Sequence, residues 1–76
     1  MKKIEIHWLD SWIWHGWQDL DSCIEKFEKF HKGAIKTIGW LVKENDHAYM
    51  VAHSLGTTDD GLGVLIIPKC SVIKVR

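Results

Sequence analysis

The sequence predicts a small α+β domain with five short strands and one helix between strands 1 and 2. Three features support this prediction: an alternating N-terminus, one helical repeat of apolar residues, and a C-terminal half rich in β-formers and turn residues. Five strands and one helix in 76 residues favour a small, bent antiparallel sheet or a barrel. We expect one domain spanning residues 1–76, with the helix covering one open end or face of the sheet.

The first strand is predicted at Ile4–Leu9, where apolar and polar residues alternate. Its even-numbered residues, Trp8 among them, share one face and are expected in the core. The following residues 10–17 contain three more tryptophans and are predicted to form a loop.

The helix is predicted from about Asp19 to His31. Ser22 and Glu25 have the spacing of a capping box, and Gly33 suits the position just beyond the C-terminus. Apolar residues recur at helical spacing: Leu20, Ile24, Phe27 and Phe30, with Cys23 beside them. We expect this face to pack on the sheet, so that Phe27→Ala costs roughly 3–5 kcal/mol of stability.

Four strands are predicted in the rest of the chain, because β-branched and aromatic residues alternate there with turn residues. They are placed at Ala34–Lys43, Ala48–Ser54, Val64–Ile67 and Ser71–Val75. The connections are a tight turn at Glu44–His47, a polar loop at Gly56–Gly61 and a short turn at Pro68–Cys70.

Charge and composition narrow the classes of function. Ten basic residues balance ten acidic ones, which disfavours general binding to duplex nucleic acid. No apolar run is long enough for a membrane span, and Glu5, His7 and Asp10 interrupt any signal-peptide core. Cys23 and Cys70 allow at most one disulfide, which favours a reducing cytoplasm. A domain this small gains stability by association, so we expect a homo-oligomer.

Four of the five tryptophans lie within residues 8–17. Trp8 and Trp17 are expected in the core, Trp17 by packing on the helix that follows it. Trp12 and Trp14, next to His15, have three open interpretations: they line a ligand site, they line a protein interface, or they belong to the core. Aromatic rings stack on nucleobases and are also enriched at the hot spots of protein interfaces.

Two further places are candidates for ligand contact. Lys69 follows Pro68 in a rigid turn and either faces a phosphate or is an ordinary solvated lysine. Thr57 and Thr58 lie in a loop flanked by glycines that either closes over a ligand or merely connects strands. The five histidines have no metal-binding spacing, and no catalytic motif is present, so we expect no metal, no cofactor and no enzymatic activity.

Several short motifs, taken together, resemble a family of short phage and prophage proteins. They are Ile6-x-Trp8-x-Asp10, Gly16-Trp17, Ile38-Gly39-Trp40-Leu41-Val42, and Ile66-Ile67-Pro68-Lys69 with Val72-Ile73. The resemblance implies a phage source and hence the cytoplasm of an infected bacterium, but no established activity. Trp12 and Trp14 go beyond the family pattern. Residues 63–73 are similar to the last two strands of Sm-like and SH3-like barrels.

These observations lead to one preferred hypothesis and two alternatives. The preferred one is a phage-encoded protein that counters host defence by sequestering a nucleotide signal. The first alternative is an inhibitor that blocks a host protein through the tryptophan-rich loop. The second is an Sm-like RNA-binding or structural protein, which the neutral charge disfavours. The ligand-binding residues are predicted to be Trp12, Trp14, His15, Thr57, Thr58 and Lys69, with equivalent sites at the interfaces of the oligomer.

Overall fold

The structure is a computed structural model of the 76-residue chain and describes residues 1–11, 13–30 and 34–76. Its elements are β1 (Lys2–Trp8), α1 (Leu20–Glu28), β2 (Ile35–Glu44), β3 (Ala48–Leu55), β4 (Gly61–Pro68), a 3-10 turn (Lys69–Ser71) and β5 (Val72–Val75). The predicted order of one strand, one helix and four strands is confirmed, and each strand boundary lies within three residues of its predicted position.

All five strands form one antiparallel sheet in the order β4-β3-β2-β1-β5. Two strands consecutive in sequence, β4 and β5, therefore lie at opposite edges. At about 4.8 Å between neighbours, a flat sheet would separate these edges by about 19 Å. The 3-10 turn that joins them has three residues and rises only about 2 Å per residue. The sheet must therefore bend strongly at this end.

Hydrogen bonds of the 3-10 turn show how the bend is held. The Lys69 N–H donates to the carbonyl oxygen of His47 at 2.8 Å, and the Leu9 N–H donates to that of Ser71 at 2.9 Å. The turn thus joins the β2–β3 connection to the end of β1. Among the described residues no ladder pairs β4 with β5, so the predicted bent sheet is present but the sheet is not a closed barrel.

The core lies on one face of the sheet, which we call the inner face. It is built by residues from all five strands: Ile4, Ile6, Trp8, Val51 and Ile67, with Leu41, Tyr49, Leu65 and Val72 packed against them. The expectation that the even-numbered residues of β1 are buried is confirmed. Trp8 also has a partner for its polar atom, since its Nε1–H donates to Thr37 Oγ1 at 3.0 Å.

Gly39 permits a close approach of β2 and β3. A Cβ added there would lie 2.5 Å from the carbonyl oxygen of Ala52 and 2.7 Å from Cγ1 of Val51. One of these neighbours is main chain of the adjacent strand, which cannot move without disturbing the ladder. Glycine at position 39 is therefore required by packing between β2 and β3.

The helix departs most from the sequence prediction. None of its residues is buried, and Leu20, Ile24 and Phe27 are 73%, 53% and 74% exposed. The expectations that Ile24 and Phe27 face the sheet and that α1 covers it are wrong. The buried core consists of side chains from the sheet alone, and no side chain of α1 takes part in it. Amphipathic spacing predicts a helix with an apolar side but does not specify what that side packs against. The radius of gyration is 15.6 Å, against about 11 Å for a compact chain of this length, so α1 extends from the sheet.

The predicted start of the helix near Asp19 is confirmed, whereas the predicted capping box and the predicted end of the helix differ from the structure. The N-cap is Asp19, and Ser22 lies inside the first turn, where its Oγ–H donates to Asp19 Oδ2 at 2.9 Å. The capping box with Ser22 as N-cap is therefore wrong, because the helix begins at Leu20. The helix ends at Glu28, earlier than predicted, and the predicted terminal residues His31 and Gly33 lie outside the described residues.

Trp17 is fully exposed, so its expected place in the core is wrong. The expectation depended on α1 being packed on the sheet, and an exposed helix offers no core for the preceding residue to join. Both cysteines are free, with Cys23 half-buried and Cys70 exposed.

Because β2 and β3 approach closely at Gly39, we expect that adding a single methyl group there destabilises the protein. Gly39→Ala should lower the free energy of unfolding by roughly 1–3 kcal/mol through overpacking. Gly61→Ala is the matched control, because a Cβ there would meet its nearest atom at an ordinary 3.4 Å. Urea denaturation of both variants measures the difference. Equal urea midpoints for the two variants would contradict the tight packing of β2 on β3 at Gly39.

The exposure of α1 predicts that its large side chains contribute little to folding. Phe27→Ala should change the free energy of unfolding by less than about 1 kcal/mol. Ile6→Ala, at a fully buried position, should cost roughly 2–5 kcal/mol. Thermal melting of the two variants tests this. A similar loss of stability in both variants would show that α1 packs on the sheet.

Candidate binding surface

The segment between β1 and α1, residues 9–19, leaves the sheet beside the 3-10 turn. It is described except for Trp12, which lies outside the described residues, so the predicted role of that side chain stays a prediction. Local hydrogen bonds shape the segment: the Ser11 N–H donates to Asp10 Oδ1 at 2.8 Å, and Gln18 Nε2 donates to the His15 carbonyl oxygen at 2.9 Å. The His15 residue itself is exposed.

Trp14 connects this segment to the helix. Its half-buried ring lines a groove of about 210 Å³ together with Lys26, Phe27 and Phe30. The groove is therefore mainly aromatic, with one cation at its wall. It brings one predicted site residue, Trp14, against side chains that the sequence assigned to the core.

The apolar residues of α1 form a continuous exposed row. Leu20, Ile24 and Phe27 are spaced i, i+4 and i+7, so they lie on one side of the helix. Ser22, Glu25 and Lys29 lie on the opposite side, where acidic and basic residues are mixed. We call Leu20, Ile24 and Phe27 the apolar stripe.

Lys69 occupies the rigid turn that the sequence predicted, but its charge is already paired. Its Nζ lies 2.6 Å from Glu44 Oε2 and 4.9 Å from the centre of the Tyr49 ring. The hydrogen bond to the Glu44 carboxylate raises the pKa of the Lys69 ammonium above its ordinary value of 10.5. A phosphate would have to compete with this carboxylate for the ammonium group.

Thr57 lines a cleft of about 390 Å³ at the other end of the β3–β4 hairpin, and the exposed Thr58 is not part of its lining. The floor of the cleft is apolar, formed in part by Val42, Met50, Ala52 and Val64. Asp59 and Asp60 also line it, and their carboxylates repel phosphate groups. The Gly56 N–H donates to the Asp60 carbonyl oxygen at 2.8 Å, which closes the base of this loop.

The predicted site residues therefore lie in two separate places. Lys69 is near the first residue of β3, and Thr57 and Thr58 follow its last residue, so the eight residues of β3 put roughly 26 Å between them. The tryptophan segment begins at the Lys69 end, where Leu9 bonds Ser71. Within one chain the residues proposed for a single nucleotide site are not brought together.

The sequence did not lead us to expect that the apolar stripe is an exposed surface. Its amphipathic spacing was visible, but the same spacing is produced by a helix packed on its own domain and by a helix that awaits a partner. The Lys69–Glu44 pair was also missed, because its members are 25 residues apart and no local pattern joins them.

The described part of the chain contains neither a candidate metal centre nor a candidate membrane-spanning helix. Within it, no group of three or more His, Cys, Asp or Glu residues could hold a metal ion. None of its helices has the length and hydropathy required to span a membrane. The chain matches no protein-family model, and no curated protein or solved structure is significantly similar to it.

The Lys69–Glu44 pair generates a prediction about alkaline pH. Because the pKa of Lys69 is raised in the folded protein, the stability contributed by the pair is present below about pH 10.5 and is lost as the pH rises through the folded pKa. Glu44→Gln should bring the Lys69 pKa back toward 10.5, as measured by an NMR titration of its side chain. Glu25→Gln on α1 is the control, and an unchanged titration in Glu44→Gln would contradict the assigned cause.

Proposed function

We propose that this chain is a non-enzymatic protein-binding module that acts through the apolar stripe and the tryptophan segment. In this mode the amphipathic helix places its i, i+4 and i+7 side chains into an apolar groove of the partner. The observation that carries the proposal is that a helix with three large apolar residues on one side has no buried residue.

The size of the surface suits a protein partner. Burying a Leu, Ile or Phe side chain contributes roughly 1.5–3 kcal/mol. Three such side chains therefore supply several kcal/mol before the costs of association are subtracted. The neighbouring Trp17 is fully exposed, and tryptophan is among the residues most enriched at interface hot spots.

The charges of the helix argue against two other kinds of target. Nucleic acids and anionic membranes attract surfaces with an excess of Lys and Arg. The described helix carries Asp21, Glu25 and Glu28 against only Lys26 within its bounds, with Lys29 just beyond. An apolar groove on a partner protein can bind the helix without an excess of Lys and Arg on the helix.

The resemblance to short phage proteins supports a host protein as the partner. Occupation of a groove on that protein would block whatever the groove normally binds. The module would then counter the host by competition, and no catalytic residue is required for this activity.

Nucleotide capture is a second candidate, and one observation favours it. The Trp14 groove combines aromatic side chains with the ammonium group of Lys26, which suits a stacked base and a nearby phosphate. This site differs from the predicted one, because it uses Lys26 rather than Lys69 and does not include Thr57 or Thr58.

The direct test is photo-crosslinking in bacterial cells. A photo-reactive amino acid at position 24 or 27 of the full chain should capture a second protein of defined mass. The same group at position 25 or 29, on the opposite side of α1, should not. Excess unlabelled chain should compete for capture, whereas chain carrying Phe27→Asp should not.

Two outcomes would overturn the proposal: equal capture from both sides of α1, or full competition by the Phe27→Asp chain. The nucleotide candidate is tested separately by melting the protein with a panel of linear and cyclic nucleotides. A ligand at 100 times its Kd stabilises by about 2.7 kcal/mol. A shift that disappears in Trp14→Ala, together with no stripe-dependent capture, would favour nucleotide binding instead.

A further inference from the structure

A second apolar surface lies on the face of the sheet opposite the core, which we call the outer face. Strand register places Trp40, Ala52 and Val64 side by side across β2, β3 and β4. Residues two positions along each strand point to the same side, and Met50 faces Ile66 across the next rung. Ala52 is fully buried between its large neighbours, and the cleft beside Thr57 opens onto this same surface.

The two halves of the outer face differ in the polarity of their side chains. The centre of its β2–β4 half is apolar, and Lys36, Lys43 and Ser54 lie toward the strand ends. The apolar residues are Ile38, Trp40, Val42, Met50, Ala52, Leu62, Val64 and Ile66. Its β1 half is charged, because Lys3, Glu5 and His7 lie opposite Trp40, Ile38 and Lys36. A sheet face that meets only water would be polar over its whole width. The apolar half therefore indicates a surface that is covered.

The area of this apolar half matches a standard interface. The exposed fractions of Ile38, Trp40, Val42, Leu62, Val64 and Ile66 together equal about three fully exposed side chains. At about 150 Å² each, the lower end of the range for aromatic side chains, this is roughly 450 Å². A standard interface buries about 800 Å² on each partner, of which about 65% is apolar in homodimers. The apolar half thus supplies most of the non-polar part of one stable interface.

We infer that the apolar half of the outer face binds a second copy of this chain, as the two sheets of a β-sandwich do. In a two-fold dimer the same surface is used twice, so an apolar half packs on its equivalent without needing complementary charges. The charged β1 half then lies at the rim. Packed sheets are about 10 Å apart, and Trp40 and Ile66 are long enough to interdigitate across that gap.

The small core favours a second copy over another partner. The described core rests on a few side chains of the inner face, and a domain of this length is marginally stable alone. Pairing through the outer face gives β2, β3 and β4 a second apolar layer. The stripe on α1 is not used in this contact and stays available.

The experiment is a mass measurement by light scattering at micromolar concentration. The parent chain should have twice the monomer mass of 8.8 kDa. Val64→Asp and Ile66→Asp should each give the monomer mass, because a carboxylate would be buried in the apolar contact. Both positions are more than half exposed in the chain, so each variant should keep the far-UV circular dichroism of the parent.

Phe27→Asp is the matched control, since it places the same charge on the other exposed apolar surface and should leave the doubled mass unchanged. The melting temperature of the parent should also rise with its concentration, and that of Ile66→Asp should not. A monomeric parent would overturn the inference. So would a dimer that survives both outer-face substitutions or is lost in Phe27→Asp.

Discussion

The three-residue turn between β4 and β5 is the constraint on which the rest of this structure depends. It joins two strands that lie at opposite edges of the sheet, and it does so only because the sheet bends. The same bend brings side chains of all five strands into one cluster. This cluster consists of side chains from the sheet alone, and α1 adds none to it. The exposure of α1 therefore reflects contacts between distant parts of the chain, which its amphipathic pattern does not specify.

A bent sheet with a small core leaves apolar residues exposed in two places, for which we propose different roles. The stripe of α1 is narrow and lies on an element outside the sheet, which suits insertion into another molecule. The outer face of β2–β4 is broad and belongs to the rigid part of the fold, which suits a permanent contact. Both surfaces consist of residues of ordinary core type, and only their position in the fold distinguishes their roles.

Local patterns allowed most of the fold to be predicted, and non-local contacts account for most of what was wrong. Alternation in β1 and the turn residues around β2–β5 were sufficient to place five strands, and the strand face of Trp8 was right. The helix was found, but its partner was assigned by analogy with packed helices. Whether Phe27 meets a sheet depends on how that sheet folds on itself. For the same reason, Lys69 was treated as a free cation although Glu44 lies beside it in space.

Because α1 contributes no buried residue, its sequence is under little constraint from folding. Substitutions in Leu20, Ile24 or Phe27 can accumulate without a loss of stability, whereas a change at Gly39 cannot. If the helix binds a partner as proposed, substitutions can therefore alter that contact while the sheet is preserved. The residues proposed to touch the partner and the residues that hold the sheet together are physically separate.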